Sequence, residues 1–378
     1  MDNAVILYLH IGTEKTGTTS VQRFFRTNRN LLARNGILYP MSPGNENHTG
    51  LAVAAQKLSR RGPLRKIKGV QSADDAKEYR TTLADELKAE FAVGHYKTVV
   101  MSGEHCSSRL LDDKEVEWLK DFLSPFFESI KIVVYVRRQD DFLLSTYSTA
   151  VKSGATRELA LPAERLLQFR YDHWELLARW TRIFGRENVI CRKYEKAALE
   201  GGDIVDDILS VTGIDPNLGL ERPNDVNESL DAETLEFLRL FNKHVPRMSK
   251  DGLNPERDNI VPLLSKMSQG PLITLDEGAL AGFMALFKDS NRKVADAYFG
   301  GARTGSGDPL FEPRTDSRPR TSHVALSVER VVEICAGLWQ EKQAQLDRVA
   351  ERAKRREAGL GPAGKKRRHE KDQIRRGE

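Results

Sequence analysis

Nine residues carry the densest chemistry in this chain: Gly12-Thr-Glu-Lys15-Thr16-Gly17-Thr18-Thr19-Ser20. Two glycines bracket a lysine, and three hydroxyl side chains follow. Ahead of them runs an apolar stretch, Ala4–Ile11, and behind them an amphipathic one, Val21–Leu32. Strand, glycine-bounded loop and helix in that order turn backbone N–H groups and a positive helix end toward a phosphate. The Gly12-x4-Gly17 spacing is that of a nucleoside triphosphate loop, yet Thr18-Thr19 stand where Lys-Ser/Thr belongs. The lysine sits instead at Lys15, two places before the glycine. A phosphate cradle survives, with its cation aimed elsewhere. Two further segments offer reactive groups past an apolar run. One is Thr98-Val-Val-Met-Ser-Gly-Glu104-His105, with two candidate proton acceptors. The other is Ile130–Val136, followed by Arg137-Arg138.

The elements that must position these groups are legible as short β-branched runs. Val5–Ile11, Thr98–Met101, Ile130–Val136 and Val189–Cys191 read as strands, with Ile37–Tyr39 as a weaker fifth. Helical periodicity falls between them at Val21–Leu32, Tyr79–Phe91, Val116–Phe122, Asp141–Val151 and Leu166–Phe184. That alternation predicts an α/β fold with a parallel sheet covered on both faces. Function in such sheets gathers beyond the carboxyl ends of the strands. Here those positions are Gly12–Thr19, Ser102–Cys106, Arg137–Asp141 and Arg192–Glu195, with Asp140 or Asp141 expected to cap the next helix.

Lys15-Thr16-Gly17-Thr18-Thr19 resembles the 5′-phosphosulfate loop of the sulfotransferases that use 3′-phosphoadenosine 5′-phosphosulfate (PAPS). A second segment is similar to the family's other signature, a strand ending in arginine with a serine eight positions on: Arg137 and Ser145 keep that interval, and Ser-Thr-Tyr-Ser-Thr-Ala-Val151 continues it. The resemblance covers residues 4–200 with usable motifs. It implies a P-loop-kinase-like three-layer fold with a central parallel sheet, joined here to a helical C-terminal extension. It also implies sulfuryl transfer from PAPS to an acceptor hydroxyl, on a small molecule or glycan, with no metal required. Lys15 would then face the bridging oxygen between phosphate and sulfate, where charge grows as the S–O bond breaks. Gly12, Thr16, Gly17, Thr18 and Thr19 would complete the 5′ cradle, and Arg137 and Ser145 would hold the 3′-phosphate. Tyr194, ending Asn188-Val-Ile-Cys-Arg-Lys-Tyr194-Glu195, would lie near the adenine. An Arg-Lys-Gly loop of the cytosolic branch has no counterpart, which points to the carbohydrate-type and bacterial branches. Glu104 is the first choice for the base and His105 the second. His48, in the segment Pro43–Gly50 that also holds Glu46, is expected as a substrate contact. Glu14 is expected to face solvent or bind Lys15.

Composition bounds the alternatives. The chain has 378 residues and a formal net charge of +5, but residues 348–378 hold twelve Lys/Arg against five Asp/Glu. The tail thus contributes +7 and the remainder −2, so nucleic acid is not the expected partner of the body. Cys106, Cys191 and Cys335 are too few and too scattered for a disulfide framework. No apolar run approaches the roughly 20 residues of a membrane span, and the apolar start runs directly into the loop, so a cytoplasmic protein is expected. The expected organisation is a domain over 1–300, a linker over 301–323, a helix over 324–356 and a basic, disordered tail over 357–378. Within it, a helix is expected from Ser229 to Phe241, no regular structure over 254–270, and one or two helices over Leu275–Tyr298. The 324–356 helix could pack on the parent domain or pair two copies, and packing is the preferred reading. Two rival functions remain: a P-loop nucleotide kinase, and a binding module acting through the Lys365–Arg368 cluster.

Overall fold

The computed structural model describes residues 5–60, 62–223, 229–249, 252–254, 257, 259–303, 305, 307–314 and 318–357. The basic tail expected from residue 357 on lies, from 358, outside the described residues. The chain divides into two compact units. The first comprises residues 1–147, 159–227 and 275–316, and the second residues 148–158, 228–274 and 317–378.

A five-stranded parallel sheet organises the first unit. Its strands are β1 (Ile6–Gly12), β2 (Ile37–Leu38), β3 (Thr98–Ser102), β4 (Ser129–Val136) and β5 (Val189–Lys193), in the order β2-β3-β1-β4-β5. All five expected strands are present. Leu9, in the middle of β1, lies opposite Met101 on one side and Ile132 on the other. Strand residues alternate between two cores because successive side chains point to opposite faces. Leu7, Leu9, Val99, Met101, Ile132, Val134 and Val136 bury against one layer, which includes helices Asp113–Leu123 and His173–Phe184. Val100, Val133 and Tyr135 bury against the other, formed by helices Thr18–Arg34 and Ile204–Thr212. The result is the three-layer α/β architecture that strand–helix alternation foretold. Each of these wholly buried aliphatic chains contributes about 1.5–3 kcal/mol.

Two connections leave the sheet in opposite directions. From β1 the chain passes to β2 on one side; from β4, beside β1, it passes to β5 on the other. A crevice therefore opens at the carboxyl ends of β1 and β4, the usual ligand position in open α/β sheets. The candidate residues after β1 and β4 flank this crevice.

In the second unit, helix Ala232–His244 is bound to the segment that follows Val151. Asn242 Nδ2 donates to the carbonyls of Val151 and Ala155, both at 2.8 Å, and Arg239 Nη1 donates to that of Thr156 at 2.9 Å. Leu272–Ile273 pairs in parallel with Arg320–Thr321, and residues 254–270, read as irregular, contain a short helix, Val261–Lys266. Helix Val328–Glu357 buries Ile334, but Trp339 (73% exposed), Leu346 and Val349 (63% each) face outward. The preferred reading of a fully packed helix is corrected accordingly: Val328 (75%) and Val332 (59%) are exposed as well, so the stripe is buried at Ile334 and only half-covered at Val331 and Leu338. Among the described residues, no helix is long and apolar enough to cross a membrane, and no cluster of three His, Cys, Asp or Glu is arranged to hold a metal ion.

Candidate functional site

The loop between β1 and helix Thr18–Arg34 is built on unusual backbone. Gly12 has φ 82° and Gly17 φ 74°. Added Cβ atoms would lie 3.1 Å from Glu104 Cβ and 3.0 Å from Ile204 Cγ2, respectively. Conformation and space both demand glycine there. Between them Lys15 has φ 65°, a left-handed conformation that is costly for a residue with a Cβ and that clusters at functional sites. The loop is tied to β4 by Thr13, whose N–H and hydroxyl both donate to the Tyr135 carbonyl at 3.1 and 3.0 Å. Thr16 is wholly buried and donates to the Thr13 carbonyl at 2.6 Å, so its hydroxyl closes the turn. Helix Thr18–Arg34 begins at Gly17 with no side-chain cap and no acidic residue in its first turn. Its leading N–H groups and positive dipole end are therefore available to an anion.

Arg137, just past β4, reaches across the crevice and donates through Nη1 to the Lys15 carbonyl at 2.7 Å. Its guanidinium stands 5.5 Å from the centre of the Tyr194 ring. That ring in turn comes within 3.2 Å of where a Gly17 Cβ would stand. Lys15, Arg137, Gly17 and Tyr194 thus form one contiguous group, assembled from three strand ends. His173 holds the Arg137 carbonyl through Nε2 at 2.7 Å. Arg138, next in sequence, has a different fate: it pairs with Asp140 at 3.1 Å and donates to the Glu312 carbonyl. Arg314 adds contacts of 2.6 and 2.9 Å to Asp140 and Asp141. The helix starts at Gln139, so these two aspartates lie within its first turn rather than at the expected cap. Ser145 lies half-buried in the second turn of that helix.

Glu104 ends the β3 loop against the phosphate-loop helix. Its Oε2 accepts from the Thr18 hydroxyl and its Oε1 from Asn47 Nδ2 at 3.5 Å. The Thr18 hydroxyl is therefore engaged, while Thr19 is exposed. Burial pushes the Lys15 ammonium below the usual lysine range and the nearby Arg137 adds to this, against the attraction of Glu104 and Glu14. Glu14 itself forms an ion pair with Arg170 at 2.7 Å, rather than facing solvent or binding Lys15. His105 hydrogen-bonds the Thr49 hydroxyl through Nδ1 at 3.2 Å, and burial holds its pKa below the normal histidine value despite the neighbouring Glu104.

His48 does not reach this group as a ligand contact. It is wholly buried, its Nδ1 accepts from the Ser102 N–H at 3.0 Å and its Nε2 meets the Pro40 carbonyl at 2.9 Å. Burial lowers its pKa to about 3. Both ring nitrogens are committed, one to the end of β3 and the other to the segment just past β2, which corrects the expectation of a substrate contact. Glu46, in the same segment, pairs with Arg26 at 2.7 Å.

A cavity of about 500 Å³ opens beside the loop, lined by Ser20, Tyr194, Gly202, Ile204 and Arg222 among others. Its wall, helix Ile204–Thr212, is fixed by buried Asp207, which accepts from Tyr135 Oη at 2.7 Å, Arg192 Nε at 3.0 Å and the Glu200 N–H at 3.0 Å. Burial opposes the charge on Asp207, but these donors outweigh it and keep its carboxyl below the usual range. The cavity, Asp207 and Arg170 escaped the sequence reading. The Asp203-x-x-Asp206 start of that helix was the available signal for the wall.

No protein-family model matches the chain. Among curated proteins, an uncharacterized protein of Archaeoglobus fulgidus is 30% identical over 176 residues, which is 45% of this chain and 46% of that protein. The chain thus spans about half the length of the curated relative it matches. Among solved structures, a sulfotransferase from Alicyclobacillus acidocaldarius is similar at a TM-score of 0.34 and 18% identity, over 58% of this chain and 86% of that one.

Proposed function

We propose that this chain is a PAPS-dependent sulfotransferase, moving the sulfuryl group to an acceptor hydroxyl and releasing adenosine 3′,5′-bisphosphate. The observation that carries the reading is the strained Lys15, held between two glycines by Arg137 from the adjacent strand. The donor set suits a nucleotide with phosphates at both ends. The loop supplies the uncapped N–H groups of residues 18–20 and the partly buried Lys15 ammonium, and the guanidinium of Arg137 stands beside Tyr194. Glycine at residues 12 and 17, where a Cβ would press on Glu104 and Ile204, keeps the loop in the positive-φ form that starts the helix at the crevice. When bound, PAPS supplies an activated sulfuryl group on a phosphate leaving group.

The chain's own residues then act by placement and charge. Lys15 and the helix start neutralise negative charge at the 5′ end. Because both carboxylates near Lys15 have other partners, Arg170 for Glu14 and Thr18 for Glu104, the ammonium is not locked into an internal ion pair with either. Arg137 keeps donors beyond the one given to Lys15 and, with Ser145 on the following helix, is assigned the 3′-phosphate. Tyr194 and the 500 Å³ cavity are assigned the base. Glu104 removes the acceptor proton. Its contact with Thr18 sets it against the loop, whereas His105 is turned onto Thr49; a neutral His105 is the second choice.

A melting assay with adenosine 3′,5′-bisphosphate and with Mg-ATP tests the assignment. Stabilisation by the bisphosphate and not by Mg-ATP is expected. The reverse result would make the protein a nucleotide kinase. A screen of sugars, phenols and lipids with PAPS as donor then identifies the acceptor.

A further inference from the structure

Helix Val328–Glu357 has a second apolar face besides the one that holds it to its unit. Buried Ile334, with half-covered Val331 and Leu338, packs inward. Arg330 fixes the start of the helix there, donating through Nη2 to the Met267 carbonyl at 2.7 Å and to the Thr234 hydroxyl at 3.1 Å. About a quarter-turn round the helix stand Val328, Val332, Trp339, Leu346 and Val349, all exposed. Exposed Cys335 and Ala353 and half-buried Lys342 fall on the same line. From residue 328 to residue 353 these positions alternate in steps of four and three without a break. Two places in every seven residues, kept up over more than three heptads, make the seam of a coiled coil. Such a seam is narrower than the apolar face with which a surface helix lies on a core or in a lipid interface. It suits a second helix.

We propose that this seam is the interface of a homodimer, in which the same helix of a second copy of this chain lies antiparallel against it. Charge selects the orientation. Residues 328–341 carry Glu329, Glu333 and Glu341 against Arg330, a net −2, whereas residues 342–354 carry four Lys/Arg against Asp347 and Glu351, a net +2. A parallel pair would set like halves side by side; an antiparallel pair sets each acidic half against the basic half of its partner. Full overlap of the two seams fixes the register. Val332 then meets the partner's Val349, Cys335 the partner's Leu346, and Trp339 the partner's Lys342. The one charged place in the seam thus falls on a tryptophan face, which accepts an ammonium, and a lone polar seam residue is what specifies register in coiled coils. The arrangement is self-complementary, as a twofold interface requires. The overlap spans about 39 Å of helix. The interface stands whether or not the β1 loop binds PAPS.

Sedimentation equilibrium of the full chain over the micromolar range tests the pairing, and a dimer is expected. Trp339→Glu and Leu346→Glu, each at an exposed position, are expected to weaken self-association by about a hundredfold while circular dichroism stays that of the folded chain. Oxidation with diamide reads the orientation without a disruptive substitution. In the antiparallel register the two Cys335 residues lie about 16 Å apart along the helix axis, beyond the reach of a disulfide, so the native chain should not cross-link. Leu346→Cys should cross-link, and adding Cys335→Ser should abolish it. Cys106 and Cys191 are buried and do not compete. A chain that is monomeric throughout, a dimer indifferent to both glutamate substitutions, or cross-linking of the native chain in preference to Leu346→Cys would overturn the proposal. So would capture of a monomeric chain by phosphatidylserine vesicles that is lost in Trp339→Glu, which would assign the face to a membrane.

Discussion

Lys15 carries two separable burdens, a backbone conformation and a charge, and substituting it twice pulls them apart. At φ 65° an L-residue is disfavoured by about 1–2 kcal/mol, a cost glycine escapes. Glycine in turn loses about 0.5–1 kcal/mol more than alanine through the freedom of its unfolded chain. Lys15→Gly should therefore be more stable than Lys15→Ala by about 0.5–1 kcal/mol, or roughly 1–3 °C in melting midpoint for a domain of this size. The Arg137 bond to the residue 15 carbonyl survives in both, because it is made to backbone. Turnover is different. If the ammonium stabilises the leaving phosphate, both variants lose about 10²–10³-fold in transfer from PAPS to the best acceptor of a panel. Binding of adenosine 3′,5′-bisphosphate, measured by titration calorimetry, should fall far less. Glycine less stable than alanine would refute the strained loop. Wild-type turnover in either variant would refute the catalytic charge.

Arg137→Ala should weaken adenosine 3′,5′-bisphosphate binding by at least tenfold, since it removes a charged donor and the clamp on Lys15; unchanged binding in calorimetry would count against the 3′-phosphate assignment. Glu104→Gln should lower turnover by about 10²–10⁴-fold with little change in nucleotide affinity, and a larger loss in His105→Gln would transfer the role of base to the histidine. Asp207→Ala leaves Tyr135 and Arg192 facing an empty acceptor position and should cost about 3 kcal/mol in urea unfolding; a loss under 1 kcal/mol would show that the network does not fix the cavity wall. Burial lowers the pKa of His10 to about 4 and of His48 to about 3, against 6.5 for a free histidine. Their depressed values mean that the unfolded chain takes up protons first, so stability is complete above pH 6.5 and falls as pH drops toward 4. The two together should add up to about 2.7 kcal/mol per pH unit to that slope, and a His48→Gln chain whose urea midpoint follows the same pH dependence would contradict it.

Local pattern exposed what local forces decide. The five strands were legible because β-branched runs of the right length have few other uses, and the loop was legible because only glycine suits positions 12 and 17. Helix pairs were harder. Leu166–Phe184 reads as one periodic segment but breaks into Leu167–Arg170 and His173–Phe184, where Asp172 accepts from the Glu175 N–H and caps the second piece. Short helices such as Thr49–Ala55 and His105–Arg109 left no periodic trace, since two turns are too few to display one.

Residue order alone sufficed to place the strand–loop–helix at residues 6–34 and the arginine at the end of β4, because each depends on neighbours within a few residues, and the alternation of strands with helices implied the parallel sheet that holds them. Partner choice was settled only by the tertiary structure. Glu14 lies 156 residues from Arg170, and Arg137 lies 122 from Lys15. Adjacent arginines 137 and 138 diverged, one to the loop and one to Asp140. His48, polar and centrally placed in a loop, went into the core, while Arg65 was buried with two donors unmet. Nothing in the order of residues encodes such outcomes locally: they follow from which side chains the folded sheet brings within hydrogen-bond distance once water has been excluded.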